Sequence, residues 1–218
     1  MILETKAVAL VVGVAAFFVL GTYVTMVVPL MDDKLNTPAV TAKDYTEREL
    51  HGKRIYESEG CWYCHTQQVR NLLNETMRYG MGEEETAKRF GIRAHIQAPP
   101  SQPGEYAYDR PHLLGTRRVG PDLARVGGKY DNSWHLNHLR DPRSTSPGSI
   151  MPSYPWLFTA QGQPTEDAIA LVAYLEKLGT NVNWREAGVE AARRSQSAKP
   201  GPSPTIAPSS QPSQEASS

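Results

Sequence analysis

Between Ala7 and Met31 the chain carries no charged side chain, a run of 25 residues rich in Val, Ala, Leu and Phe. As a helix rising 1.5 Å per residue it spans roughly 37 Å, enough to cross a hydrocarbon layer of about 30 Å with some tilt. A buried soluble helix rarely needs so long an uncharged stretch. Glu4 and Lys6 precede the run, and Asp32, Asp33 and Lys34 follow it. That balance is too even to set an orientation. A cleaved leader is the rival reading, with Val40-Thr41-Ala42 as a small-residue cleavage site. That site lies about ten residues past the apolar run, far for such a role. The expectation is an uncleaved single-span anchor over residues 1–35.

The remainder is unlike this segment. Mean hydropathy over the chain is −0.47, which excludes a polytopic membrane protein. The 23 basic and 23 acidic side chains cancel, so bulk charge gives no support to nucleic-acid binding. A length of 218 residues fits one medium domain with appendages, and two cysteines cannot build a disulfide scaffold or a four-thiolate zinc site. The spacing predicts an all-α fold after a linker at Asn36–Ala42. A helix is expected over Ala42–Glu59, capped by Thr41, with shorter ones at Glu83–Phe90 and Asn132–Arg140. The last, Thr165–Leu178, is capped by Thr165, stopped by Gly179 and given a wide apolar stripe by Ile169, Leu171, Val172, Tyr174 and Leu175. Residues 70–115 otherwise read as loops. From 185 to 218 the composition shifts to Ala, Ser, Pro and Gln, and that tail is expected to be disordered. The domain itself is expected over 36–184.

The chemistry is concentrated in Cys61-Trp62-Tyr63-Cys64-His65. C-x-x-C-H reads as a c-type haem attachment site. Two thiols one turn apart add across the two vinyl groups on one porphyrin edge, and the next residue places its imidazole under the iron. A thioredoxin-like dithiol needs a βαβ context, a half zinc site needs a second ligand pair, and a structural disulfide leaves His65 without a purpose. One covalent haem c is therefore expected, and the opposite ligand decides what it does. The candidates are Met151, Met77, Met81, His51, His95, His112, His135 and His138. Met151 stands in Ser149-Ile150-Met151-Pro152, where the proline stiffens a loop that can hold a thioether on iron. His65 and Met151 are the expected metal ligands. Histidine–methionine ligation raises the potential relative to two histidines and blocks dioxygen. The implied role is electron transfer, with no catalytic residue in this chain.

Gly52 and Tyr56 before the motif, Leu171 and Tyr174 in the last helix, and Gly120-Pro121-Asp122-Leu123 between them make the span from about Tyr45 to Gly179 resemble a class I cytochrome c domain. The resemblance implies that Gly52 and Tyr56 pack on Leu171 and Tyr174. It implies that the Pro121 carbonyl accepts the His65 Nδ1–H, that Leu123 covers a haem face, and that Arg125 and Trp134 serve the haem propionates.

Three further stretches, Glu59–Arg70, Gly104–Asp109 and Met151–Leu157, together with Gly120–Tyr130, resemble the mono-haem subunit of cbb3-type cytochrome c oxidases. That implies a cytochrome anchored in the inner membrane, N-terminus cytoplasmic and haem domain periplasmic. Its partners would be a haem–copper catalytic subunit and a donor cytochrome c, with electrons passing toward haem b for dioxygen reduction. Two stretches depart from the family pattern: an insertion at about 82–102 and the Pro/Ser-rich tail. The cytochrome c subunit of nitric oxide reductase is an alternative. So is a haem gas sensor or peroxidase in which Met151 is not a ligand, or a purely structural anchor for complex assembly.

Overall fold

The computed structural model describes residues 2–181 and 183–197, and the remaining tail, 198–218, lies outside them. Among the described residues there are helices and two isolated bridges but no strand, as the all-α reading expects.

The apolar run forms α1 (Ile2–Thr22), a π-helical turn (Tyr23–Val27) and α2 (Val28–Leu30), followed by the short α3 (Asp33–Asn36). Pro29 lacks an N–H and its ring collides with the carbonyl four residues back, so the widened turn falls where a regular helix would be strained. Lys6–Leu30 is the one stretch of the described residues long and apolar enough to cross a membrane, and the fold buries none of its central window.

The next helix is α4 (Glu47–Ser58), five residues later than the sequence suggests. The cap is Thr46 and not Thr41. Thr46 and Glu49 satisfy each other's backbone N–H in a capping box, while the Thr41 hydroxyl goes instead to the Asn181 carbonyl. The N–H of Ala39 also binds the Gly104 carbonyl at 2.9 Å, so the linker is laid along the domain.

Then come α5 (Leu73–Arg78), α6 (Glu83–Phe90), α7 (Asn132–Arg140), α8 (Pro142–Thr145), α9 (Glu166–Lys177) and α10 (Trp184–Ser197). α6, α7 and α9 stand where the sequence places them, and Thr165 caps α9 as expected.

α4 and α9 make the closest helix pair in the molecule. Gly52 lies directly on the Ala170 carbonyl, where any Cβ would overlap backbone. Tyr56 packs its ring 5.4 Å from that of Tyr174. Leu113, Val126, Leu139, Tyr154, Leu157, Leu171, Leu175 and Leu178 complete this main core. Each such aliphatic side chain contributes about 1.5–3 kcal/mol by leaving water.

A second core contradicts one expectation. Residues 185–197, read as the start of a disordered tail, form most of α10. Trp184, Gly188, Val189 and Ala192 share one face of it and pack on Met81, Ile96 and Ala98, with Phe90, Ile92 and Ala94 alongside. Gln196 and Arg193 side chains donate to the Arg93 and Phe90 carbonyls at 3.0 and 3.2 Å. The insertion and the first part of the tail thus cover each other's apolar faces. Composition averaged over 185–218 hides the short stripe because its contacts depend on small residues as much as on large ones.

Candidate functional site

α4 ends at Glu59, and Gly60 takes a left-handed conformation (φ 68°) that turns the chain into the 3-10 turn Cys61–Tyr63. Cys64 and His65 each return an N–H to the Cys61 carbonyl, at 3.1 and 3.0 Å. This turn brings Cys61, Cys64 and His65 together around one carbonyl. The two cysteines are not joined to each other as a disulfide. Cys61 lies against the main core with Trp62, and burial pushes its thiol up to about 12, while Cys64 is exposed.

His65 is held on both sides by backbone. Its Nδ1 lies 2.7 Å from the Pro121 carbonyl. A Cβ on Gly120 would overlap the imidazole, and one on Gly115, whose φ is +73°, would press on the His65 carbonyl. Three backbone bonds lock the surroundings: Gly120 N to Cys64 O at 3.0 Å, Leu123 N to Thr66 O at 2.8 Å, and Gln67 N to Leu114 O at 2.9 Å. Burial keeps His65 below the ordinary imidazole range, so the ring is neutral near pH 7. With Nδ1–H donated to a carbonyl, the remaining lone pair is on Nε2, the atom a metal takes.

The eight candidates for a second ligand lie in different surroundings. Met81 is buried in the second core, and Met77 lies beside it on α5, its carbonyl 2.9 Å from the His95 ring nitrogen. His51 is 3.0 Å from Asp167, and His135 is 3.0 Å from Glu176. His112 stacks at 5.6 Å on Tyr106, and His138 meets the Thr145 hydroxyl at 2.6 Å. Met151 packs against the cluster that also holds Cys61, Trp62 and Leu123. Its loop is tied back to the cysteine turn, with Trp156 Nε1 donating to Glu59 at 2.9 Å. Tyr154, buried beside Cys61, anchors the other side, its N–H on the Leu139 carbonyl at 2.9 Å.

The two expected propionate partners fare differently. Arg125 is buried, and its guanidinium is already matched by Glu105, at 2.5 and 2.9 Å. It has a counterion without any propionate. Trp134 lies on α7, stacked between Tyr130 at 3.8 Å and His138 at 4.7 Å.

No group of three or more His, Cys, Asp or Glu side chains converges as a metal site among the described residues. The donor set suits a macrocycle-borne metal: two adjacent thiols, one neutral imidazole with a free Nε2, and a thioether on a proline-stiffened loop. These residues fit a haem. Sequence reasoning assigned no role to Thr66, Glu75, Arg118 or Asp122, which the structure gathers behind His65. Their only signal in the sequence is adjacency of two of them to the Cys-His and Gly-Pro motifs.

The family model described as cytochrome C oxidase, mono-heme subunit/FixO matches residues 1–167. No curated protein matches the chain.

Proposed function

This chain belongs to the FixO family of mono-haem cytochrome c oxidase subunits, and from that membership we propose that it carries one covalently attached haem c and passes electrons within the oxidase. The family supports an oxidase subunit over the nitric oxide reductase subunit and over a sensor or peroxidase. In this reading Cys61 and Cys64 would fasten the haem through thioethers, and His65 and Met151 would supply the ligands to its iron. The group itself supplies a one-electron iron couple. The protein's part is to bind, orient and shield. Gly120 and Gly115 let the backbone close on the imidazole, Pro121 fixes its tautomer, and Leu123, Tyr154 and the main core exclude water. Trp134 serves as a propionate donor. With both His65 and Met151 as ligands, no position would be left for substrate, so the job is outer-sphere transfer. Electrons arrive from a partner cytochrome c and leave toward haem b of a haem–copper subunit that reduces dioxygen. Residues 6–30 anchor the chain in the cytoplasmic membrane, with the N-terminus inside and the haem domain on the periplasmic face.

The observation that carries this reading is the half-buried His65, its Nδ1 engaged at 2.7 Å by the Pro121 carbonyl, in the same turn as Cys61 and Cys64. Purification in mild detergent, followed by haem and metal analysis, tests it. The expected result is pigment that stays with the protein in acidic organic solvent, in a complex containing haem b and copper. Pigment released into the solvent overturns covalent attachment, and non-haem iron without copper overturns the oxidase role. Met151→Ala should keep the haem, lower the potential and admit carbon monoxide. An iron that stays closed to carbon monoxide in that variant refutes the axial methionine.

A further inference from the structure

Thr66 directly follows the proposed iron ligand, and Asp122 directly follows the proline whose carbonyl meets the ligand's Nδ1. These two neighbours are themselves joined, because Thr66 Oγ1 donates to Asp122 Oδ2 at 2.5 Å. Asp122 accepts two more bonds, from the Gln68 and Ala124 N–H groups, both at 2.9 Å. Its side chain is 0% exposed, so it makes all its bonds inside the protein. Arg118 closes the arrangement. Its Nε donates to Thr66 Oγ1 at 2.7 Å, one Nη reaches the Gln68 carbonyl, and the other lies 2.5 Å from Glu75. Glu75 is buried and held in turn by Arg70, through Nε at 2.6 Å and the backbone N–H at 2.9 Å.

A planar guanidinium offers donors in a fixed fork, and charge-assisted bonds are the short, stiff ones. This network bridges the two chain segments whose separation sets the His65–Pro121 contact. Without it, those segments are joined there by only the Gly120–Cys64 and Leu123–Thr66 backbone bonds. A donor bond from Nδ1 makes Nε2 a stronger base, and a more basic ligand favours the higher charge on a bound metal. Resting on the axial assignment of His65 made above, we infer that Thr66, Asp122, Arg118 and Glu75 are positioning residues for the imidazole. They hold the length and direction of the His65–Pro121 hydrogen bond, and through it they set the reduction potential of the haem iron.

The test uses the full-length haem protein in detergent. Thr66→Val keeps the shape and removes the bridging hydroxyl. The expected outcome is a rise in potential equal to a threefold to tenfold change in the reduction equilibrium, tenfold being about 59 mV for a one-electron couple. The His65 Nδ1–H, followed by NMR, should exchange with solvent at least threefold faster. Thr66→Ser should restore both values. Arg118→Gln, at a side chain 21% exposed, should move both in the same direction and carries the test if Thr66→Val does not fold. Haem-loaded variants with the parental potential and exchange rate overturn the inference, whatever their melting temperatures. A parent protein whose iron has no histidine ligand overturns this inference together with the reading it rests on. A histidine-ligated parent with unmoved variants overturns the inference alone.

Discussion

The two cores of this domain are built by opposite rules. The main core joins α4 to α9 through large rings and one glycine, with backbone against backbone at Gly52 and Ala170. The second joins α10 to the 82–102 stretch through scattered single side chains, with Gly188 facing the side chain of Ile96, while the bridge between Met81 and Ile96 sets Gly80 on the Ile96 carbonyl. The candidate site is fastened to the first: Cys61, Trp62, Leu123 and Met151 all lean on it. The second touches the site's surroundings only at Val69 and Ala124. A core that fixes a site must be rigid where the site is attached. A core that covers an added segment needs only to be dry.

The sharpest way to break this contrast is Gly52→Ala. Its Cβ would land on the Ala170 carbonyl, which cannot move without parting the helices. Overpacking of a core costs about 1–3 kcal/mol when side chains can yield. Here they cannot, and the loss should exceed about 3 kcal/mol, with haem incorporation falling alongside. Urea unfolding with the Soret band as a second probe measures both. A variant near parental stability would mean that the helix crossing is looser than it is drawn here.

Trp184→Ala probes the other core. Removing a buried tryptophan costs about 3–5 kcal/mol where the site cannot collapse. If the second core is a separate cover, the loss appears as local opening. Amide exchange should accelerate in 82–102 and α10 while α4, α9 and the visible spectrum stay parental. Faster exchange in α9 as well would merge the two cores into one cooperative unit.

How much of this was legible in the chain follows the same division. The Cys61–His65 spacing and the α9 stripe with its Thr165 cap are regular patterns of large or special residues, and pattern reading finds them, while the Gly52–Tyr174 contact follows from the family resemblance alone. The start of α4 was misplaced because Thr41 and Thr46 both look like caps. Only the reciprocal Glu49 bond and the pull of Asn181 on Thr41 decide between them. The pairing of Arg125 with Glu105 is not legible in the chain, because the two lie 20 residues apart with no periodicity linking them. α10 was lost in a composition average. Ion networks and small-residue contacts join positions distant in sequence, and no local rule reports them.

Glu75 is held by Arg70 and Arg118 in the network that reaches Thr66 and Asp122, and acid should loosen it. Burial alone would raise its carboxyl, but Arg70 and Arg118 outweigh burial and hold it near about 2, against an ordinary 4.5. A depressed carboxyl stabilises the fold fully above its unfolded value and loses that contribution as pH falls through the folded one. The window is therefore pH 4.5 down to 2, and the amount is about 2 kcal/mol. Denaturant unfolding at pH 5 and pH 2.5 should show this loss in the parent and a smaller one in Glu75→Gln. Equal slopes in the two proteins would remove Glu75 from the account.

The smallest expected effect is the most discriminating, because it repeats the first substitution in the second core. Gly188→Ala places a Cβ 2.2 Å from Cγ2 of Ile96, the branch methyl of a buried side chain and not a backbone atom. That branch is stiff at χ1, so the contact costs about 1–3 kcal/mol as overpacking. Against that, alanine in a helix interior is about 1 kcal/mol better than glycine. The helix gain offsets only part of the overpacking, and the net loss should be at most about 2 kcal/mol by thermal unfolding. The same chemical change is then severe at Gly52 and milder at Gly188, because a backbone carbonyl cannot step aside and a side chain can shift. Equal losses at both positions would dissolve the distinction between a core that holds a site and one that covers a segment.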